Sequence, residues 1–124
     1  MISTFLELGN STSRNLEFSH RPDVQVSYGE ETITESNLLE IRRRHENRIT
    51  LHTFSKQKEA KVGADWEWHI VGHWRTLKMR VQAKRLYSNN LLRVRHKVGS
   101  LGKQQRDLLI QGAQKDGVKP LYCI

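Results

Sequence analysis

Three stretches of two-residue alternation, 48–54, 64–71 and 77–86, stand in a row between two segments of helical spacing, and no other feature narrows the fold so far. In the first, Ile49, Leu51 and Thr53 share one face, with Thr50, His52 and Phe54 on the other. In the second, Ala64, Trp66, Trp68 and Ile70 oppose Asp65, Glu67 and His69. In the third, Leu77, Met79, Val81 and Ala83 oppose Lys78, Arg80, Gln82 and Lys84. Each reads as a half-buried strand, and 72–76 reads as the hairpin turn between the last two.

The flanks are helical. Thr32-x-x-Glu35 has the form of a capping box, in which hydroxyl and carboxylate satisfy free backbone N–H groups. Leu38, Leu39 and Ile41 follow as an apolar stripe, and Arg42, Arg43 and Arg44 suit the negative end of a helix dipole, so a helix is predicted over 33–46. Gln105, Leu108, Leu109 and Ala113 predict a second helix over 103–114, stopped between Gly112 and Gly117. Residues 118–124 read as a short strand whose Pro120 suits an edge or a strand start. Residues 87–102 read as a basic loop, and 1–29 as an irregular extension in which a short helix or hairpin is left undecided. The order helix, three strands, helix, strand describes an α/β sandwich.

The chain has 124 residues, which suits one domain, with 30–124 as its core. Its single cysteine, Cys123, gives no internal disulfide. The first residues lack the pattern of a secretory signal, and no run approaches the 18 or so apolar residues that span a bilayer, so a soluble cytoplasmic protein with no membrane partner is expected. The net charge of +8 is unevenly spread. Residues 1–67 carry 9 Lys/Arg against 11 Asp/Glu, whereas 68–124 carry 12 against 2. No acidic residue falls from Trp74 through Gly102, a stretch that holds Arg75, Lys78, Arg80, Arg85, Arg93, Arg95 and Lys97. Such one-sided charge costs self-repulsion, and a polyanion is the commonest reason to tolerate it, so these seven residues are the expected nucleic-acid contacts.

Strand periodicity also gathers chemistry. Asp65 and Glu67 share a face, as do Gln82 and Lys84, and a hairpin with its apolar side on the core projects all four the same way. A carboxylate, an amide oxygen and backbone carbonyls are the hard donors that Mg²⁺ prefers, and a neighbouring lysine can orient a water or neutralise charge at a phosphate. The bland alternative is a solvated strand face.

Gly63-Ala64-Asp65, a spacer, then Val81-Gln82-Ala83-Lys84-Arg85 resembles the core motif of the PD-(D/E)XK nuclease superfamily, most closely the Mrr-like branch with its Asp…Gln-x-Lys pattern. The element order is similar to the restriction endonuclease-like αβββαβ core of that superfamily, a central mixed sheet flanked by helices. With its flanks, 30–124 resembles a bacterial family of restriction-like proteins. The resemblance implies a metal-dependent DNA endonuclease of a restriction or anti-phage defence system, using Mg²⁺ or Mn²⁺, with a homodimer or a partner subunit as the working form. It implies Asp65, Gln82 and the carbonyl of Ala83 as metal ligands, Lys84 as the catalytic lysine, and a helix glutamate, Glu31 in preference to Glu35, completing the site. Glutamine is neutral, so Glu31, Glu67 or the substrate phosphate has to compensate for the lost charge. A catalytically inactive nucleic-acid-binding or assembly module of the same fold is the alternative.

Other readings carry less. His69 and His73 lie four apart but straddle Gly72 and lack a cysteine set for zinc. Trp66 and Trp68 are expected in the core, whereas Trp74, in the hairpin, is left open for stacking on a base. No Gly-rich phosphate cradle is present.

Overall fold

The computed structural model describes residues 1–84, 97–98 and 102–124. They divide into two compact units, Met1–Asn47 and Arg48–Ile124, each taken by itself here.

The first unit is a helix pair, α1 (Ile2–Ser19) and α2 (Glu30–Arg44). The irregular extension expected over 1–29 is thus corrected to an 18-residue helix followed by a connection. Its inward stripe recurs at helical spacing through Thr4, Phe5, Leu8, Thr12 and Leu16, all buried or half-buried. Polar members disguise that stripe, and they are there because they bond across the pair. Thr4 Oγ1 lies 2.8 Å from His45 Nε2, and Asn37 Nδ2 donates to Thr12 Oγ1 at 3.0 Å. Arg44 reaches Glu7 at 2.6 Å and Glu40 at 2.6 Å, and two arginines beside Glu40 hold its carboxyl down at about 2.

α2 starts three residues before the predicted position. Its N-cap is Gly29, with no side-chain cap, and Thr32 lies inside the helix, so the capping box is not formed. Glu30 and Glu31 occupy the first turn instead, where carboxylates meet the positive end of the helix dipole. Leu38 and Ile41 are buried, whereas Leu39 is 71% exposed.

The second unit runs β1 (Ile49–Thr53), α3 (Lys56–Val62), β2 (Trp66–Val71), β3 (Thr76–Ala83), β4 (Lys97–Val98), β5 (Lys103–Gln104), α4 (Gln105–Lys115) and β6 (Lys119–Cys123). β1, β2, β3 and β6 form one sheet in that spatial order. The first two pairings are antiparallel and β3–β6 is parallel, with α4 in the crossover, so the fold is α/β with a mixed sheet. Pro120 lies on the edge strand, where a missing N–H is tolerated. Two elements were not foreseen. α3 is capped by the Ser55 hydroxyl, which accepts from the Lys58 N–H. β4 and β5 make a small two-stranded ladder within and just after the segment read as a loop.

Ile49, Trp66, Trp68 and Val81 are buried on one face of the sheet, and the two indoles meet edge-on at 6.0 Å. The opposite face was expected to be open, and it is not. α4 runs along it, presenting its buried stripe of Gln105, Leu109 and Ala113. Arg80 is therefore only 6% exposed. Its guanidinium donates to Glu67 at 2.9 Å and to Asp116, past the end of α4, at 2.7 Å. Arg80 is a clamp between sheet and helix and is removed from the expected nucleic-acid contacts. Among the described residues, no helix is long and apolar enough to cross a membrane.

Candidate functional site

Glycine sets the approach to the site. α3 ends on Gly63 in the left-handed conformation, φ 69°, and this turns the chain toward β2. A Cβ added at Gly63 would stand 2.3 Å from the Gln105 carbonyl and 2.8 Å from the Leu109 nitrogen. Only a residue without a side chain lets the chain pass so close under the first turns of α4. Asp65 follows two residues on, with its backbone held on both sides. Its N–H donates to the Val81 carbonyl at 2.9 Å and its carbonyl accepts from the Phe54 N–H at 3.1 Å.

The β2–β3 register pairs Trp66 with Val81, which carries Asp65 to the level of Gln82. Asp65 Oδ2 accepts from Gln82 Nε2 at 2.7 Å and from the Ala83 N–H at 2.7 Å. Gln82 Nε2 also donates to the Ala83 carbonyl at 3.0 Å. β2 begins only at Trp66, so the end of β3 projects past its partner and leaves the backbone of Ala83 to the Asp65 carboxylate. Lys84 is the next residue, its N–H bound to the Cys123 carbonyl at 2.8 Å. Its ammonium donates to Gln105 Oε1 at 2.8 Å.

The electrostatics are those of a partly buried carboxylate. Burial pushes the Asp65 carboxyl above its ordinary value, and this outweighs the Ala83 N–H, the Gln82 amide and the charges of Lys84 and Lys56. A raised folded-state pKa means that ionised Asp65 detracts from stability at neutral pH. That penalty fades as pH falls through the folded pKa. Asp65→Asn is therefore expected to melt at or above the wild-type temperature near pH 7, with the gap closing on acidification. Thermal melts at a series of pH values check this, and a constant gap would show that the carboxylate charge is not its source.

The donors suit a hard divalent ion in kind. Asp65 Oδ2 and the Ala83 carbonyl both lie within hydrogen-bond distance of the Gln82 side-chain amide. Gln82 is 2% exposed, yet its Oε1 is buried without a hydrogen-bond partner. An orphaned amide oxygen of this kind is unusual, and rotating the amide end over end would turn it toward Asp65 and Ala83 as a third oxygen donor. Among the described residues, no group of three or more His, Cys, Asp or Glu side chains is placed to hold a metal. One carboxylate, one amide and one carbonyl are thus the set on offer.

The other sequence candidates fall differently. Glu67 shares the Asp65 face, but its two oxygens are engaged, Oε1 by His69 at 2.8 Å and Oε2 by Arg80. Burial alone would raise the Glu67 carboxyl, but His69 and Arg80 hold it below its ordinary value. Glu67 is therefore corrected from a compensating ligand to a partner of Arg80. Glu31 and Glu35 are exposed residues of α2 in the first unit, and the geometry above belongs to the second unit alone. The preference for Glu31 loses its footing, because the structural role assigned to Glu35 is absent and a first-turn role exists for Glu31. Arg75, Lys78 and Lys97 are exposed, as is Trp74. Arg85, Arg93 and Arg95 lie outside the described residues. Gln105 was read only as part of a helix stripe. The clue to a further role was a glutamine heading an otherwise apolar series, and its partner, Lys84, emerges only from the crossover geometry.

The profile of a Family of unknown function (DUF6615) matches residues 1–124. The chain belongs to that family. The match spans both compact units. No curated protein matches the chain.

Proposed function

We propose that this protein hydrolyses phosphodiester bonds of nucleic acid with the help of a divalent ion, Mg²⁺ or Mn²⁺, and that the substrate is DNA cut internally, as in a restriction-type defence system. The observation that carries this reading is that Asp65 and Ala83 both meet the Gln82 side-chain amide, with the Lys84 ammonium bonded to Gln105 and its charge acting on Asp65. Asp65 and the Ala83 carbonyl, with the Gln82 amide oxygen, are the groups that would hold the ion. The ion supplies a Lewis acid for the phosphate and a water that is nucleophilic at neutral pH. Burial raises the Asp65 carboxyl, and the Ala83 N–H, the Gln82 amide and the charges of Lys84 and Lys56 oppose that rise. Lys84 carries a positive charge to where negative charge grows on the phosphate. Gln105 fixes the lysine's direction, so little reorganisation is needed when substrate arrives. Exposed Arg75, Lys78 and Lys97 supply phosphate contacts.

A second reading has one specific observation behind it. Gln82 is neutral and its N–H₂ end already satisfies Asp65, so the site can rest without an ion, as a module that binds nucleic acid and does not cleave it. Incubation of plasmid and linear DNA with the full chain in Mg²⁺, Mn²⁺ or EDTA separates the two. Metal-dependent nicking lost in Lys84→Ala supports hydrolysis. Tight binding with no nicking under either metal supports the module.

A further inference from the structure

The hairpin that joins β2 to β3 carries an anomaly that the Asp65 site does not use. Trp66 and Trp68 are 3% and 8% exposed, whereas Trp74, in the turn between the strands, is 97% exposed. The turn is tight: the Gly72 N–H donates to the Arg75 carbonyl at 3.0 Å, and the strands on either side are paired up to Val71 and Thr76. An indole at the tip of a paired hairpin exposes a large flat apolar surface at small conformational cost. It is a rigid post.

Its surroundings choose the occupant. His73, Arg75 and Lys78 are exposed around it, and Arg48, exposed, lies beside Val71, whose N–H bonds the Arg48 carbonyl. The carboxylate nearest in sequence on the hairpin, Glu67, is engaged by Arg80 and His69. Val71 and Leu77 of the same hairpin are 44% and 45% exposed, so apolar area alone suits a protein partner equally, and it is charge that chooses the occupant. Cations on a hairpin whose own carboxylate is already engaged suit a strand whose bases stack and whose phosphates are negative.

We propose that Trp74, assisted by Arg75 and Lys78, is a stacking site for an unpaired base, and that the nucleic acid recognised by this protein therefore contains a single-stranded segment. The proposal rests on the nucleic-acid reading above but needs no active metal centre. β3 runs from the turn to the Asp65 site, and its eight residues at about 3.3 Å each set the two roughly 25 Å apart. The base taken by Trp74 lies that far from the phosphate at Lys84.

Because the other two tryptophans are buried, Trp74 reports on itself. The test titrates the full chain, in EDTA, with an oligo-dT of about twelve nucleotides and with a blunt duplex of equal length. It follows tryptophan emission, acrylamide quenching and the anisotropy of labelled oligonucleotide. Single strand is expected to quench the exposed fraction and shield it from acrylamide. Trp74→Ala is expected to lose that signal and weaken single-strand binding about tenfold, while Trp74→Phe loses the signal and keeps most of the affinity. Full shielding by blunt duplex, or equal single-strand affinity of Trp74→Ala and wild type, overturns the stacking site. Absence of binding to either nucleic acid overturns this proposal and the nucleic-acid reading together. Quenching by single strand without cleavage in Mg²⁺ or Mn²⁺ upholds the stacking site and counts against hydrolysis alone.

Discussion

Gly63→Ala is expected to destabilise the protein by about 2–5 kcal/mol, a large share of what a domain of this size has. Two costs combine. An alanine at φ 69° carries the strain of the left-handed region, about 1–2 kcal/mol, and overpacking adds about 1–3 kcal/mol or more. The second cost is high here because the new methyl meets backbone: it would lie 2.3 Å from the Gln105 carbonyl oxygen and 2.8 Å from the Leu109 nitrogen. Backbone in a helix cannot step aside as a flexible side chain does. Gly117 provides the control, since it has φ 67° and nothing within 4 Å of its Cβ position. Gly117→Ala should show the strain cost by itself, about 1–2 kcal/mol. Urea denaturation of both variants measures the difference, and equal losses would mean that α3 does not pack under α4 as described. Whatever Gly63→Ala protein folds must push α4 away and carry Gln105 from its place beside Lys84.

Lys84→Ala is expected to reduce metal-dependent cleavage by about 10²–10⁴-fold, the usual range for losing a positioned proton carrier or a charge aimed at the transition state. Asp65→Ala should do the same through loss of the carboxylate that the described residues offer to the proposed ion. The Lys84 loss should not come from unfolding. Lys84 gives up one part-buried side-chain bond, to Gln105, and its backbone tie to Cys123 is untouched. Gln105→Leu leaves the lysine in place but untethered, so it should fall between wild type and Lys84→Ala while DNA binding is preserved. Initial nicking rates at saturating Mg²⁺, beside circular dichroism and binding anisotropy for each variant, check the series. Wild-type rates from Lys84→Ala would remove that residue from the chemistry.

The sheet was legible because period-two alternation states which residues share a side, and the β2–β3 hairpin follows from two such runs across a short turn. The meeting of Asp65 with Gln82 was legible for the same reason: register carries one to the level of the other. What covers a strand face is not written in the strand. Arg80 was read as a surface cation because lysines and glutamines alternate around it, and only the crossover of α4, with Asp116 past its end, turns it into a buried clamp. Gln105 was missed through the same crossover. α1 was hidden because its inward positions include Thr4 and Thr12, whose partners, His45 and Asn37, are remote in sequence. α3 has seven residues and none buried, too little for an apolar period to register. The capping box failed because a matching pair of residue types marks a cap only where the backbone begins its first turn. Here that point is Gly29.

A Mn²⁺-soaked crystal examined at the manganese absorption edge decides whether Asp65, Gln82 and Ala83 form a cradle for a divalent ion. An anomalous peak is expected, bonded to an Asp65 oxygen and the Ala83 carbonyl, with the Gln82 amide turned so that Oε1 faces the ion. The cradle is contradicted by a saturating soak in which Gln82 Nε2 still donates to Asp65 and no peak lies between that carboxylate and Ala83.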